Sequence, residues 1–149
     1  MKITMDWNEG MALTVKSVEG HQIHIDAKSP IGKGSAMTPK ELVLVGMGGC
    51  TAMDVLALLR KHKQPFESLN VEVEVETTKG VHPAVFTEGT ILFNVTGSVD
   101  RNLLNEAVLL SQTQYCGVNA MLAQSFPIKY VVRLNNEEIG TGLADFQKH

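Results

Sequence analysis

The stretch TPKELVLVGMGGCTAMDVLALLRK, residues 38–61, decides the fold of this 149-residue chain. Thr38 suits the N-cap of a helix, and Pro39 suits the first helical position because its missing N–H has no intrahelical partner there. Glu41 completes a capping box three residues after Thr38. The helix is expected to stop before Pro65. The sequence therefore predicts one long helix over 39–61.

The middle of this predicted helix carries no charge from Leu42 to Met53, so it is apolar on all sides. Such a helix is expected to be buried on most sides, by a sheet or by a second subunit as well. Asp54 interrupts the apolar run and charged residues flank it, so a membrane span is not expected.

The remaining segments alternate between strand-like and helix-like periodicity. The glutamates of NVEVEVET, for example, alternate with valines Val71, Val73 and Val75, which predicts a half-buried strand. The expected elements are N-terminal strands at about 1–28, strands at about 69–97, a second helix at about 99–115, a short helix at about 117–125 and a strand at about 128–134. This order predicts an α+β fold in a single domain, 1–149, with segregated layers rather than alternating βαβ units.

Composition narrows the classes of partner. The formal net charge is −3 and no run of basic residues occurs, which disfavours nucleic acids and anionic membranes as partners. The polar start MKITMDWNEG has no apolar signal segment, so a cytoplasmic, reducing environment is expected. No Cys and His spacing resembles a zinc site, and the glycines of GMGG fall inside a predicted helix. Neither a metal nor another cofactor is therefore predicted.

Cys50, one of only two cysteines, lies in the middle of the long helix. Free cysteine is among the most buried residue types, so an inert core residue is one interpretation. The other is a thiol that faces a shaped cavity, because Gly46 lies one turn earlier on the same face. Asp54 lies one turn later, and it could pair with a nearby donor or orient a group at the site.

Cys116, in QTQYCGVNAML, falls where one predicted helix ends and another begins. Backbone N–H groups at a helix start favour a thiolate, whereas a plain junction residue is the alternative. Because the two main helices are expected to pack together, Cys50 and Cys116 could form a redox pair if their geometry allows a bond.

TPKELVLVGMGGCTAMDVLALL and SQTQYCGVNAML together resemble the two cysteine helices of the OsmC/Ohr family, the osmotically inducible and organic hydroperoxide resistance proteins. The closest resemblance is to the YhfA-like branch. It extends over nearly the whole chain and implies an intertwined homodimer in which antiparallel sheets wrap around two long central helices.

The resemblance also implies a cysteine-based peroxidase that reduces organic hydroperoxides in oxidative-stress defence. Cys50 takes the peroxidatic position and becomes a sulfenic acid, and Cys116 takes the resolving position and closes a disulfide. An external dithiol then reduces that disulfide. Family members steady the first thiolate with an arginine and a glutamate. Glu41 is the candidate for the glutamate, although helix capping is sufficient to explain it.

The chain departs from the family pattern in its charged residues. Lys40 follows Pro39 where the family has the glutamate, and no arginine precedes Arg60. The substitute cations are lysines, namely Lys16, Lys28, Lys33 and Lys40, which lack the guanidinium fork. This departure keeps a second interpretation open. In that interpretation an OsmC-like protein binds a small hydrophobic ligand or senses redox state without catalytic turnover.

Overall fold

The computed structural model describes residues 1–146, in which strands and helices follow the order expected of an α+β chain. The last three residues of the predicted domain, 147–149, lie outside this range. The elements are β1 Ile3–Glu9, β2 Ala12–Ser17, β3 Gln22–Ile25, α1 Pro39–Lys61, β4 Phe66–Thr77, β5 Phe86–Gly97, α2 Arg101–Leu110, a π-helical turn Ser111–Tyr115, α3 Gly117–Leu122, β6 Ile128–Leu134 and β7 Glu137–Leu143. The α+β class is confirmed, and α1 has the bounds that its capping box and apolar run predict.

The chain forms two compact units, and the boundary between them along the sequence falls within α1. The first, Met1–Val45, contains an antiparallel sheet in the order β1-β2-β3. Gly20, at φ +89°, allows the tight turn between β2 and β3. The turn is closed by the Gly20 N–H, which donates to the Ser17 carbonyl at 3.1 Å.

The start of α1 also belongs to the first unit, and its capping box forms as the sequence predicts. The Thr38 N–H and hydroxyl donate to Glu41 Oε2 at 2.7 and 2.8 Å. In return the Glu41 N–H donates to Thr38 Oγ1 at 3.3 Å. These reciprocal bonds satisfy backbone N–H groups that have no partner within the helix.

The second unit, from Gly46 onward, contains a sheet in the order β4-β5-β6-β7. β4 pairs antiparallel with β5, and β6 pairs antiparallel with β7. However, β5 and β6 pair in parallel, because α2 and α3 carry the chain from one end of the sheet to the other. The expectation of purely antiparallel sheets without a βαβ unit is therefore wrong at this pair.

Within the second unit, α1 covers the sheet with one face only. Met47, Val55 and Leu59 are buried and join the apolar core formed with β5, β6 and α2. On the opposite face, Met53 is 73% exposed. The single chain alone does not bury the helix on most sides, because one sheet covers only one face of a helix; cover by a second subunit, the other part of the expectation, stays a prediction. By length and composition α1 would also pass as a membrane span, but such a test passes core helices of soluble proteins equally.

Candidate functional site

Two cysteines distant in sequence meet in the second unit. The sulfur atoms of Cys50 and Cys116 and a carboxylate oxygen of Asp54 all lie within 4.8 Å of one another. Both cysteines are free thiols, Cys50 half-buried and Cys116 buried. Asp54 joins them because it follows Cys50 by one helical turn and so lies on the same face. The expected approach of the two cysteines is therefore confirmed.

A π-helical turn positions Cys116. After α2 the backbone forms the wider turn Ser111–Tyr115, and the Cys116 N–H donates to the Ser111 carbonyl at 3.1 Å. Cys116 then adopts φ −73° and ψ 95°, which ends the helix and begins α3. The sequence predicts the helix end here but gives no signal for the π-helical turn.

A buried chain of polar side chains connects this turn to α1. Asn119 Nδ2 donates to Gln112 Oε1 at 3.1 Å, and Gln112 Nε2 donates to Thr51 Oγ1 at 2.7 Å. Thr51 Oγ1 and Ser111 Oγ lie 2.6 Å apart, and the Ser111 hydroxyl donates to Asp54 Oδ2 at 2.9 Å. Since Ser111 has a single proton and gives it to Asp54, the Thr51 hydroxyl donates to Ser111.

In this series of hydrogen bonds each residue therefore donates to the next one on the way to Asp54. An ionised carboxylate accepts hydrogen bonds and donates none, so the direction of the chain fits a negative charge at that residue. The series begins at Asn119, whose Oδ1 is buried and has no hydrogen-bond partner among residues 1–146. None of the four neutral residues was a candidate from the sequence. The signal available was Thr51, a hydroxyl side chain directly after Cys50 within an apolar run.

Burial controls the ionisation of Cys116. It raises the pKa of the Cys116 thiol to about 12, and the Cys50 sulfur contributes to the rise through a hydrogen bond between the two side chains. The backbone N–H of Asn119, which donates to Cys116 Sγ at 3.3 Å, lowers the same pKa by less. The expectation that the helix start favours a Cys116 thiolate is therefore wrong, because desolvation outweighs a single N–H donor.

Asp54 experiences two opposing effects. Burial raises the pKa of its carboxyl group, and the hydrogen bond from Ser111 partly offsets that rise. The net direction is upward, which brings the carboxyl closer to the range in which it can both take and return a proton.

Glu41 and most of the lysines considered as cations are engaged within the first unit. The hydrogen bonds from Thr38 and the nearby Lys28 lower the pKa of the Glu41 carboxyl. Lys28 Nζ lies 3.3 Å from Glu41 Oε1, and Lys16 Nζ lies 3.0 Å from Asp6 Oδ2. A further ion pair joins Lys33 to Glu9. The capping bonds with Thr38 and the ion pair with Lys28 together engage the Glu41 carboxylate.

Cys50, Asp54 and Cys116 are also of the residue types that bind metals. A closed zinc site takes four ligands, and the described part of the chain supplies these three within the 4.8 Å range. No sequence spacing predicted this group, because Cys116 comes from a different helix. The geometry fits thiol and proton chemistry without a fourth ligand.

A cleft of about 480 Å³ opens beside Cys116. Thr113 and Gly117 line it near the π-helical turn, and Asp145 and Phe146 line it from the segment that follows β7. The Asp145 N–H donates to the Gln112 carbonyl at 3.1 Å, which fixes this segment beside the site. The cleft gives a small molecule a route toward Cys116.

Comparison with known proteins adds a relative of similar length. The protein YhfA of Escherichia coli strain K12 is 34% identical over 134 residues, which cover 87% of this chain and 95% of the relative. A 34% identity over this length indicates a shared fold along nearly the whole chain.

Solved structures share the same fold. An OsmC-like protein from Mycoplasma pneumoniae superposes with a TM-score of 0.77 at 17% identity, covering 89% of this chain and 95% of that one. An organic hydroperoxide resistance protein OsmC from Legionella pneumophila superposes with a TM-score of 0.65 at 18% identity, covering 89% of this chain and 96% of that one.

A family model supplies the remaining comparison. The model described as "OsmC-like protein" matches residues 32–131, which include α1, the π-helical turn and both cysteines. The match covers well over half of the chain. With the fold, the paired cysteines and the YhfA relative, it establishes that this chain belongs to the OsmC-like protein family.

Proposed function

We propose that this protein reduces organic hydroperoxides with a Cys50 and Cys116 pair, as part of oxidative-stress defence. The observation that carries the proposal is the approach of the two sulfur atoms to within 4.8 Å while both cysteines are free thiols. A small rotation of the side chains brings such a pair to bonding distance. A redox role also agrees with the names of structural neighbours, one of which is called a predicted redox protein.

The two thiols differ in a way that suits different roles. Cys50 is only partly buried, which favours access of a peroxide to its thiol over access to that of Cys116. Cys116 is buried and its raised pKa keeps it protonated, so it is a poor first nucleophile. We therefore assign the peroxidatic role to Cys50 and the resolving role to Cys116. Glu41 is assigned to helix capping alone.

The active form is proposed to be a cytoplasmic homodimer whose disulfide an external dithiol reduces. Support for the dimer comes from the uncovered face of α1, where Met53 is 73% exposed. Large apolar side chains in such a continuous helical face are typical of a surface that another chain covers. No nucleic acid or membrane partner is proposed, since the net charge is −3.

The decisive experiment is a titration of the reduced protein with about one equivalent of cumene hydroperoxide, and then of hydrogen peroxide. Intact mass and thiol count follow the reaction with time. Wild-type protein is expected to lose two thiols per chain, faster with the organic peroxide. Cys116→Ser is expected to stop at a Cys50 sulfenic acid, and Cys50→Ser is expected to lose no thiol rapidly.

A second candidate function is the binding of a small hydrophobic ligand or the slow sensing of redox state, without turnover. The observation that favours it is the absence of any arginine before Arg60, which removes the family's usual cation. Thiols that survive excess peroxide would support this candidate over the peroxidase. Native mass spectrometry of the purified protein would then detect a bound small molecule, and slow Cys50–Cys116 disulfide formation without ligand would indicate sensing.

A further inference from the structure

The peroxidase reaction requires proton movements that the two cysteines cannot make alone. The attacking thiol must lose a proton, and the alkoxide that leaves the peroxide must gain one. At the second step the Cys116 thiol, with its pKa raised to about 12, must also lose its proton. Both steps therefore need a group that exchanges protons with the two sulfur atoms.

Asp54 is positioned to be that group. One of its carboxylate oxygens lies within 4.8 Å of both sulfur atoms, a separation that a single bridging water molecule spans. Ser111 donates to Oδ2 at 2.9 Å and so fixes the orientation of the carboxyl group. Cys50 and Cys116 are the other titratable groups in this cluster among residues 1–146.

The hydrogen-bonded polar side chains behind Asp54 support a proton-accepting role for its carboxyl group, rather than a role in packing alone. Asn119, Gln112, Thr51 and Ser111 donate in sequence toward the carboxylate, and all four are fully buried. In this network Asn119 Oδ1 lacks a hydrogen-bond partner among the described residues, and the last hydrogen bond, from the Ser111 hydroxyl, ends on Asp54. The Ser111 hydrogen bond thus favours the carboxylate form that accepts a proton, against the burial that raises the pKa of Asp54.

We propose that Asp54 is the proton-transfer group of the peroxidase site, an inference that rests on the function proposed above. The Asp54 carboxylate takes the proton of the Cys50 thiol, and the resulting thiolate attacks the terminal oxygen of the hydroperoxide. The O–O bond breaks and the electron pair leaves with the alkoxide, which takes the proton back from Asp54. Cys50 is then a sulfenic acid, and the peroxide has been reduced to an alcohol.

The same carboxylate serves the second step. It takes the proton of the Cys116 thiol, and the Cys116 thiolate attacks the Cys50 sulfur. The S–O bond breaks, and the departing hydroxide receives the proton from Asp54 and leaves as water. A disulfide results, and the two electrons that regenerate both thiols come from the external dithiol of the proposed function.

The test compares reactions whose leaving groups differ in their need for a proton. tert-Butyl hydroperoxide releases a strongly basic alkoxide, peracetic acid releases weakly basic acetate, and iodoacetamide releases iodide, which needs no proton. Stopped-flow rates of Cys50 modification by the three reagents are measured for wild-type protein and Asp54→Asn. Glu106→Gln, which removes one exposed carboxylate from α2, is the matched control.

Asp54→Asn is expected to slow the reaction with tert-butyl hydroperoxide by ~10²-fold or more, the usual contribution of a positioned acid or base. The reaction with peracetic acid is expected to slow by less than about tenfold. Alkylation needs the Cys50 thiolate but no proton for its leaving group, so it is expected to slow by less than the reaction with tert-butyl hydroperoxide. Glu106→Gln is expected to behave as wild type, and Asp54→Glu to recover part of the peroxide rate.

Two outcomes would overturn the inference in distinguishable ways. Equal slowing with both peroxides, or faster reaction with both, would mean that Asp54 acts only through packing or charge. Wild-type protein that is alkylated at Cys50 but oxidised by neither peroxide would contradict the proposed function, and the inference with it. Circular dichroism tests whether Asp54→Asn folds. If that variant does not fold, Asp54→Glu provides the comparison.

Discussion

Thr51 Oγ1 and Ser111 Oγ lie 2.6 Å apart in a part of the core where neither side chain is exposed. This contact joins α1 to the π-helical turn and thereby fixes the helix that carries Cys50 against the turn that precedes Cys116. Because both hydroxyl groups are buried, the Thr51 hydroxyl depends on Ser111 Oγ as the acceptor of its proton. The relative position of the two cysteines therefore depends on a pair of neutral side chains.

Replacement of Thr51 by valine is expected to weaken the fold. The change keeps the shape of the side chain but leaves Gln112 Nε2 without its acceptor and Ser111 Oγ without its donor, which costs ~1–3 kcal/mol of unfolding free energy. Urea denaturation measures the effect. Thr113→Val is the control, because the Thr113 hydroxyl is exposed and bonds only the Leu109 carbonyl of its own helix. Equal stability of the two variants would contradict the buried network.

Gly48 and Gly49 are neighbours on α1 that are expected to respond in opposite directions to alanine. A Cβ on Gly48 would lie 2.8 Å from Val73 Cγ2, whereas a Cβ on Gly49 meets no atom within 4 Å. Overpacking costs ~1–3 kcal/mol, while replacing a mid-helix glycine returns ~0.5–1 kcal/mol. Thermal unfolding should therefore show Gly48→Ala to be less stable than Gly49→Ala. The reverse order would mean that β4 does not pack closely on this helix.

The raised pKa of Cys116 predicts a loss of stability at alkaline pH. The folded protein holds this thiol proton more tightly than the unfolded chain does, so the stabilisation is complete below about pH 8.5 and declines as the pH rises toward about 12. Unfolding free energies at pH 8 and near pH 10.5, measured with reductant present, test this. Cys116→Ala is expected to lose less stability over that interval. Parallel curves for the two proteins would refute the shift.

Glu41 offers a test of capping against catalysis. Glu41→Ala is expected to reduce the unfolding free energy, because the Thr38 N–H loses the acceptor that caps the start of the helix. The pKa of the Glu41 carboxyl is lowered in the fold, so this contribution is present at neutral pH and is lost as the pH falls through the folded value.

The control for Glu41→Ala is Thr38→Ala, which removes the other half of the same capping box. If Glu41 only caps the helix, the two variants lose similar stability and keep the wild-type rate of Cys50 oxidation. A rate loss in Glu41→Ala alone would give this residue a role at the thiol site.

The proposed homodimer makes a prediction about the uncovered face of α1. Met53→Glu introduces a charge at a side chain that is 73% exposed in the single chain, so it should not disturb the fold of one chain. If this face is covered by a second copy, light scattering after gel filtration will show a monomer. Val81→Glu, in the exposed loop between β4 and β5, is the control that should keep the wild-type mass. A dimeric Met53→Glu would place the interface elsewhere.

Much of the fold follows from local sequence signals. The Thr38 and Glu41 capping box marks the start of α1, and alternation of valine with glutamate marks β4. β7 was not predicted, because Glu137–Leu143 contains two glycines and lacks apolar alternation. Those glycines are required by neighbours that fill the space, since a Cβ on Gly142 would lie 2.4 Å from Tyr130 Oη. Such a requirement arises from tertiary packing and cannot be seen in a single strand.

The candidate site was predictable in its cysteines but not in its electrostatics. The family motifs around Cys50 and Cys116 indicate the pair, whereas the pKa of Cys116 depends on how deeply the folded chain buries it. The role of Ser111 was equally hidden, because a serine at a helix end is ordinary until the fold brings it to Asp54. Periodicity assigns a helical face, but it does not report which polar atoms meet across two helices.

The π-helical turn Ser111–Tyr115 makes chain length itself a determinant of the chemistry. One residue more or fewer rotates everything beyond it by about 100° around the helix axis. Deletion of one residue from this turn would give a more regular helix, and one of greater intrinsic stability, but it would aim Cys116 away from Cys50. Insertion or deletion of one residue in this turn is thus expected to disrupt the approach of the two thiols more than a substitution within it does.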